Sequence, residues 1–585
     1  MSRTRPVIAA AAGAALLASC AGSKRSSPVA TASPDAADAV VVTGTRADTR
    51  ARVDTIVAED IGVLPGAGAP VPPPAPPSAP PPPVAQALMR VPGASFAPDL
   101  PRVRQYESFG RDRFTEVARN AFRVVREEPV STFSIDVDTA SYSFVRASLA
   151  RNVLPQPAAV RVEEMINYFP YQYAAPRSAA RPFSTNIAVM PSPWTKGRKV
   201  VRIGIRGYDV APATRPRANL VFLIDTSGSM NAPNKLPLVK QSLAMLLDQL
   251  DGNDRVAIVT YAGSAGTALE PTPASQKGRI LAVLDRLGAS GSTAGAEGIR
   301  QAYALAAQNL DPMGVNRVIL ATDGDFNVGI TNPDELKGFV EREREKGVFL
   351  SVLGFGMGNY NDALMQTLAQ NGNGAAAYID TVGEARKTLV DEASSTLFPI
   401  ARDVKIQVEF NPAAVAEYRL VGYETRMLAR EDFDNDRVDA GDVGSGQTVT
   451  AIYEIVPVGG PRAIGDLRYA GPARPLPSNA GEYGFVRIRY KLPKAETSQL
   501  ISTPITRAAE FARFEDAPQE ARFALGVAAF AELLRGGKYG GSTGYDDVLR
   551  IAGAARGEDP FGYRAEFVQL VRQAKTAASM ASMPR

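Results

Sequence analysis

Between residues 201 and 398 the sequence predicts an α/β fold, a doubly wound, mostly parallel sheet with helices on both faces, and two observations carry the prediction. Short apolar runs, among them Asn219–Ile224, Arg255–Tyr261, Arg317–Ala321 and Val348–Leu353, have the length and uniform hydrophobicity of strands buried on both sides. Segments of helical periodicity separate them, the clearest being 235–250 with Leu236, Val239, Leu243, Leu246 and Leu250 on one stripe. Alternating strands and helices in this order build a parallel sheet.

The elements can be justified in chain order. Arg3 and Arg5 precede an apolar stretch from Val7 to Leu17, too short to span a bilayer, so residues 1–19 read as an export signal. Leu17-Ala18-Ser19-Cys20 resembles the lipobox of bacterial lipoproteins, which implies cleavage before Cys20, lipidation of its thiol and, with Ala21 rather than Asp next, delivery to the outer membrane of a Gram-negative envelope. Residues 20–104 are rich in Pro and Ala, with a proline-dominated stretch at 71–83, and read as an extended, disordered tether.

An α+β region follows at 105–200. Strand-like alternation at 132–141 precedes a helix from Tyr142 to Asn152, and a second short helix spans Arg161–Phe169. Asp136 and Asp138 share one face of the expected strand, where solvent-facing carboxylates are the ordinary case. Within 201–398 the strands named above alternate with helices at 275–287, 295–308, 332–346 and 361–370, a short strand at 376–379 and a last helix ending at Leu397. The segment 399–585 is β-rich, with strands at 404–410, 448–455 and 484–490, and then helical from Arg507 to Ala577. Asp432-Phe-Asp-Asn-Asp436 imitates a calcium loop, but Arg437 and Val443 stand where glycine and the bidentate Glu belong, so it reads as an acidic turn.

Composition narrows the chemistry. The 585 residues carry 65 basic and 61 acidic side chains of interspersed sign, net +4, which argues against a nucleic-acid surface. There is no histidine and one cysteine, so the usual general base, thiolate zinc sites and intrachain disulfides are excluded, and any metal must be held by oxygen. No Gly-rich loop has the spacing or the lysine of a nucleotide site; Gly354-Phe-Gly356-Met-Gly358 fits a tight turn instead.

Asp225-Thr-Ser227-Gly-Ser229 follows the strand Asn219–Ile224 directly, at the strand end where open α/β sheets bind ligands. Thr293, in a Gly/Ser loop, and Asp323, after the strand Arg317–Ala321, add oxygen donors from two further loops. In these elements the chain resembles the von Willebrand factor type A domain over roughly Asn219–Leu397, and its flanking segments resemble those of bacterial envelope proteins that bracket this domain. The resemblance implies a Rossmann-like fold and a metal-ion-dependent adhesion site. Ser227, Ser229 and Thr293 would offer hydroxyls, while Asp225 and Asp323 would act directly or through water. Mg2+ is the first expectation, with Ca2+ or Mn2+ as the other oxygen-bound candidates. One open coordination position would take an Asp or Glu carboxylate from a protein partner. The expected function is binding without turnover, by a lipid-anchored envelope protein using neither nucleotide nor nucleic acid. A metal-assisted hydrolase, or an envelope protein whose metal only braces loops, are the alternatives.

Overall fold

Asp225 stands at the middle of a six-stranded sheet whose strands, in spatial order, are Ala376–Ile379, Val348–Phe355, Val315–Thr322, Ala218–Asp225, Arg255–Tyr261 and Ala265–Pro273. The computed structural model describes residues 114–135, 138–211, 214–292, 295–324, 333–358, 360–465 and 481–581, so the export signal, Cys20 and the tether lie outside the described residues. The first five strands are parallel; Ala265–Pro273 joins Arg255–Tyr261 antiparallel at the edge. All eight residues of Ala218–Asp225 are buried, as a strand covered on both faces requires. Helices Leu236–Leu247 and Lys277–Arg286 pack on one face with Phe222, Ile258 and Ile319, and helix Gly295–Gln308 packs on the other with Leu223, Val259 and Leu320.

The segments before and after this unit do not build separate sheets. Lys199–Gly207 pairs on one side with Phe183–Pro191 and on the other with Thr448–Pro457, which in turn pairs with Val415–Leu420. In a second sheet Pro399–Phe410 pairs with Glu482–Lys491 and, through Lys405–Glu409, with Val130–Ser134. Ile203, Tyr453, Ile406 and Ile488 meet in one core between the two sheets, so they form a sandwich, and the parallel sheet is an insertion that leaves it after Gly207 and returns at Pro399. A helical layer completes the molecule. Helix Gln519–Leu534, buried almost all round, packs with Tyr545–Ala554 and Tyr563–Ala581, where Phe523 lies edge-on to Phe169 and Phe567 at centroid distances of 5.0 and 5.6 Å.

The strand expected at 132–141 ends at Ser134, and the helix begins at Ala140. Asp138, far from facing solvent, is 2% exposed, accepts from the Ala376 amide at 2.8 Å and pairs with Arg426 at 2.6 Å; Asp136 lies outside the described residues. The Asp432–Asp436 segment is a turn whose carboxylates face Arg489, at 3.4 Å from Asp434 and 2.9 Å from Asp436.

One buried polar group ties these layers together, and another is buried with an oxygen left over. Arg146, on helix Ala140–Leu149, donates to Asp380 at 2.9 Å, Glu384 at 2.7 Å, Glu566 at 3.1 Å and the Tyr168 hydroxyl at 3.0 Å, so one guanidinium joins the N-terminal helix, the end of the parallel sheet and the last helix. Glu163 is different: Oε2 has no partner among the described residues, and burial, with Glu424 nearby, pushes its carboxyl up to about 7.

Arg146→Met, which leaves Asp380 and Glu384 buried without their cation, should lower stability by about 3–5 kcal/mol in denaturant unfolding, and adding Glu384→Gln should recover part of the loss. For Glu163 the folded protein holds a proton that the unfolded chain releases near pH 4.5, so its contribution favours folding least at high pH and the loss accrues between pH 4.5 and about 7. Glu163→Gln should therefore raise stability at pH 8 relative to the wild type by about 2–3 kcal/mol and bring no gain at pH 4. Parallel unfolding curves for the two proteins across this range would refute the assignment.

Candidate functional site

The strands ending in Asp225 and Thr322 are parallel neighbours, with Ile224 opposite Ala321, so Asp323 emerges one residue beyond the level of Asp225. The sheet changes direction between these two strands: from Ala218–Asp225 the chain first builds outward to Arg255–Tyr261, then crosses back to lay Val315–Thr322 on the other side. A crevice opens outside the strand ends at such a switch point.

Local backbone chemistry shapes the first loop. Asp225 Oδ1 accepts from the Ser227 amide at 2.9 Å, a turn that folds the chain back over the strand end. A short 3-10 turn, Gly228–Asn231, follows, and it brings the Ser227 and Ser229 hydroxyls to 3.1 Å from each other. Thr322 Oγ1 donates to Asp225 Oδ2 at 3.3 Å and receives the Gly324 amide at 3.2 Å. The Gly/Ser loop is tied to the same turn, since the Ser290 amide donates to Thr226 O at 2.8 Å and the Gly228 amide to Gly291 O at 3.0 Å. Gly291 sits at φ +79°, a conformation that glycine adopts without strain. Thr293 lies outside the described residues; the loop leading to it is held against the Asp225 turn.

Asp225 and Asp323 are 0% and 1% exposed, while Ser229 is exposed, so the donors run from a buried floor to an open rim. Burial pushes the Asp225 carboxyl up to about 6; its hydrogen bonds with Ser227 and Tyr261 oppose the rise, and the like charge of Asp323 adds to it.

Sequence reasoning missed Lys235. Its Nζ donates to Asp323 Oδ2 at 2.8 Å, and the side chain is 11% exposed. Lys235 occupies the N-cap of helix Leu236–Leu247, where the helix dipole disfavours a cation, and that mismatch was the available signal. Gly356 makes room for it: at φ +75°, a Cβ there would fall 2.4 Å from Lys235 Cε. Gly354 is likewise explained by packing, its missing Cβ lying 2.4 Å from the Tyr360 ring, so the glycine-rich run serves a turn and two close approaches.

Of the two buried carboxylates, Asp323 is paired with an ammonium, and no ion pair to Asp225 occurs among the described residues. An all-oxygen donor set with one uncompensated negative charge fits a hard divalent cation. No cluster of three or more acidic side chains suited to metal occurs among the described residues, so hydroxyls must supply the remainder of any such shell.

Comparison with known proteins agrees with this architecture. The family model for the von Willebrand factor type A domain matches residues 219–392, a model described as von Willebrand factor matches 108–202, and one described as the C-terminal region of the uncharacterized protein YfbK matches 395–577. The chain is 43% identical over 473 residues to the uncharacterized protein YfbK of Escherichia coli K12, covering 80% of this chain and 81% of the relative. It is 29% identical over 170 residues to the uncharacterized protein sll0103 of Synechocystis, and 33% identical over 211 residues to human inter-alpha-trypsin inhibitor heavy chain H4. The match spans only 39% and 22% of those two relatives. Among solved structures, a von Willebrand factor type A protein from Catenulispora acidiphila is 16% identical, with 67% of this chain and 89% of that one covered at a TM-score of 0.38. With its inserted parallel sheet matched as a von Willebrand factor type A domain and four-fifths of both chains aligned to YfbK, the protein belongs to the YfbK family of bacterial proteins.

Proposed function

We propose that this protein is a lipid-anchored component of a Gram-negative cell envelope, held at the outer membrane through Cys20, that captures a protein partner through a divalent cation. The observation that carries the reading is the pairing of Asp225 and Asp323 as buried carboxylates at the switch point, beneath the Ser227 and Ser229 hydroxyls. Asp225, Ser227, Ser229, Thr293 and Asp323 would hold the ion. When bound, the cation, Mg2+ foremost, supplies a Lewis-acidic position that accepts an Asp or Glu carboxylate from the partner.

The chain's own residues prepare that position. Ser227 and Thr322 fix the two oxygens of Asp225. Lys235 offsets the Asp323 charge, so the floor of the site is less negative than two free carboxylates would make it. Binding without turnover is favoured because no histidine exists to serve as general base. A cation that merely braces loops is the poorer reading, since backbone hydrogen bonds from Ser290 and Gly228 already tie the two loops together. No helix among the described residues is long and apolar enough to cross a membrane.

Pull-down from envelope extract should recover a partner in Mg2+, lose it in chelator and lose it with Asp225→Ala, whose circular dichroism should match the wild type. Capture unchanged by chelator would sink the proposal. Lys235→Met, by removing the ammonium that competes for Asp323, should tighten Mg2+ binding about ten-fold in calorimetry and lower stability in chelator by about 3 kcal/mol; weaker Mg2+ binding would contradict this role.

A further inference from the structure

Arg317 lies near the amino end of the strand whose other end carries Asp323, about 20 Å away along the strand. There the sheet borders a cavity of about 840 Å3, bounded also by the helical turn 388–392, the sandwich segment 439–446 and the loop 558–564. Its size falls within the roughly 300–1,000 Å3 of small-molecule sites.

Most charges on its wall are already satisfied. Arg426 pairs with Asp138 at 2.6 Å, Arg564 with Glu520 at 2.7 Å, and Asp391 accepts from the Tyr563 hydroxyl at 2.7 Å. Three groups are not. Arg317, 4% exposed, donates through Nη1 to Ser351 at 2.6 Å, but its Nε has no partner and no carboxylate lies within ion-pair distance among the described residues. Asp442 receives one long bond from the Asp403 amide at 3.4 Å, and its Oδ2 has no partner. Thr388, 7% exposed, has a hydroxyl with none. Burial lowers Arg317 to about 10, which leaves it charged at neutral pH; burial and the like charges of Asp439 and Asp403 raise Asp442, a rise that an ammonium brought beside it would reverse. Asp442 is the first charge opposing the burial effect on Arg317, yet the two form no ion pair. Opposite charges lining one cavity without touching leave a donor and an acceptor for a molecule that carries both complements.

We propose that this cavity binds a small zwitterion, an amino acid or a peptide of two or three residues, with its carboxylate received by Arg317 and its ammonium by Asp442. The Thr388 hydroxyl, on the wall of the same cavity, supplies a further polar contact. The site is independent of the cation site, and either proposal can fail without the other.

Calorimetry on the full chain with glycine, di-alanine and tri-alanine tests it. At least one should bind with a Kd of about 1 mM or tighter. N-acetylation or C-terminal amidation of that ligand should each weaken binding at least ten-fold, the scale of one charge-assisted hydrogen bond of about 1.5–3 kcal/mol. Arg317→Met and the near-isosteric Asp442→Asn should weaken it comparably, while Asp225→Ala leaves it unchanged. Should Arg317→Met fail to fold, Asp442→Asn and the blocked peptides on wild-type protein decide the matter. No heat from any of the three probes at about 10 mM, which would leave a cavity filled by water alone, or equal binding of blocked and free peptides, overturns the proposal.

Discussion

Parallel strands leave both faces of a sheet apolar, and the inserted unit does not cover its own sheet completely. Ala140 and Phe144, from a helix well before the sheet in the chain, complete the face formed by Val221, Leu223 and Tyr378. Their contact is non-directional, so it sets no angle between the layers. Arg146 on the same helix does so, because a guanidinium shared among Asp380, Glu384 and Glu566 accepts only one arrangement of three segments. The position of the parallel sheet within the molecule follows from this pairing of greasy cover and ionic register.

The two charge systems that touch the insert behave differently because of their surroundings. Around Arg146 the carboxylates outnumber the cation, yet each has a hydrogen bond aimed at it. At the strand ends, Asp225 has hydrogen bonds but no cation among the described residues, and burial in that setting raises its pKa. A protein that wanted only stability would place an apolar side chain there. Retaining a buried carboxylate next to a second one is sensible where something positively charged arrives from outside.

Much of the insert was legible in sequence because its strands are uniformly apolar and its helices amphipathic; Arg255–Tyr261 and Ala376–Ile379 fall at the expected limits. The edge strand Ala265–Pro273 was not legible. Only Leu269 and Thr272 are buried along it, and its prolines read as loop punctuation, although an edge strand tolerates them. The sandwich escaped for another reason: some of its strands were visible, at 404–410, 448–455 and 484–490, but nothing local reports that Val130–Ser134 pairs with residues some 270 positions later. Asp225, Ser227, Ser229 and Asp323 stood out through their place after apolar runs, whereas Lys235 precedes a helix and meets Asp323 only through folding.

The insertion also sets how the molecule carries tension. A pull transmitted from the N-terminal side first meets Arg123–Val124 and Val130–Ser134, which are zipped to Val415–Leu420 and Pro399–Phe410, strands that lie after the inserted sheet. Load therefore passes first across the sandwich as shear between paired strands, and reaches the inserted sheet only beyond them, through the helix that carries Arg146.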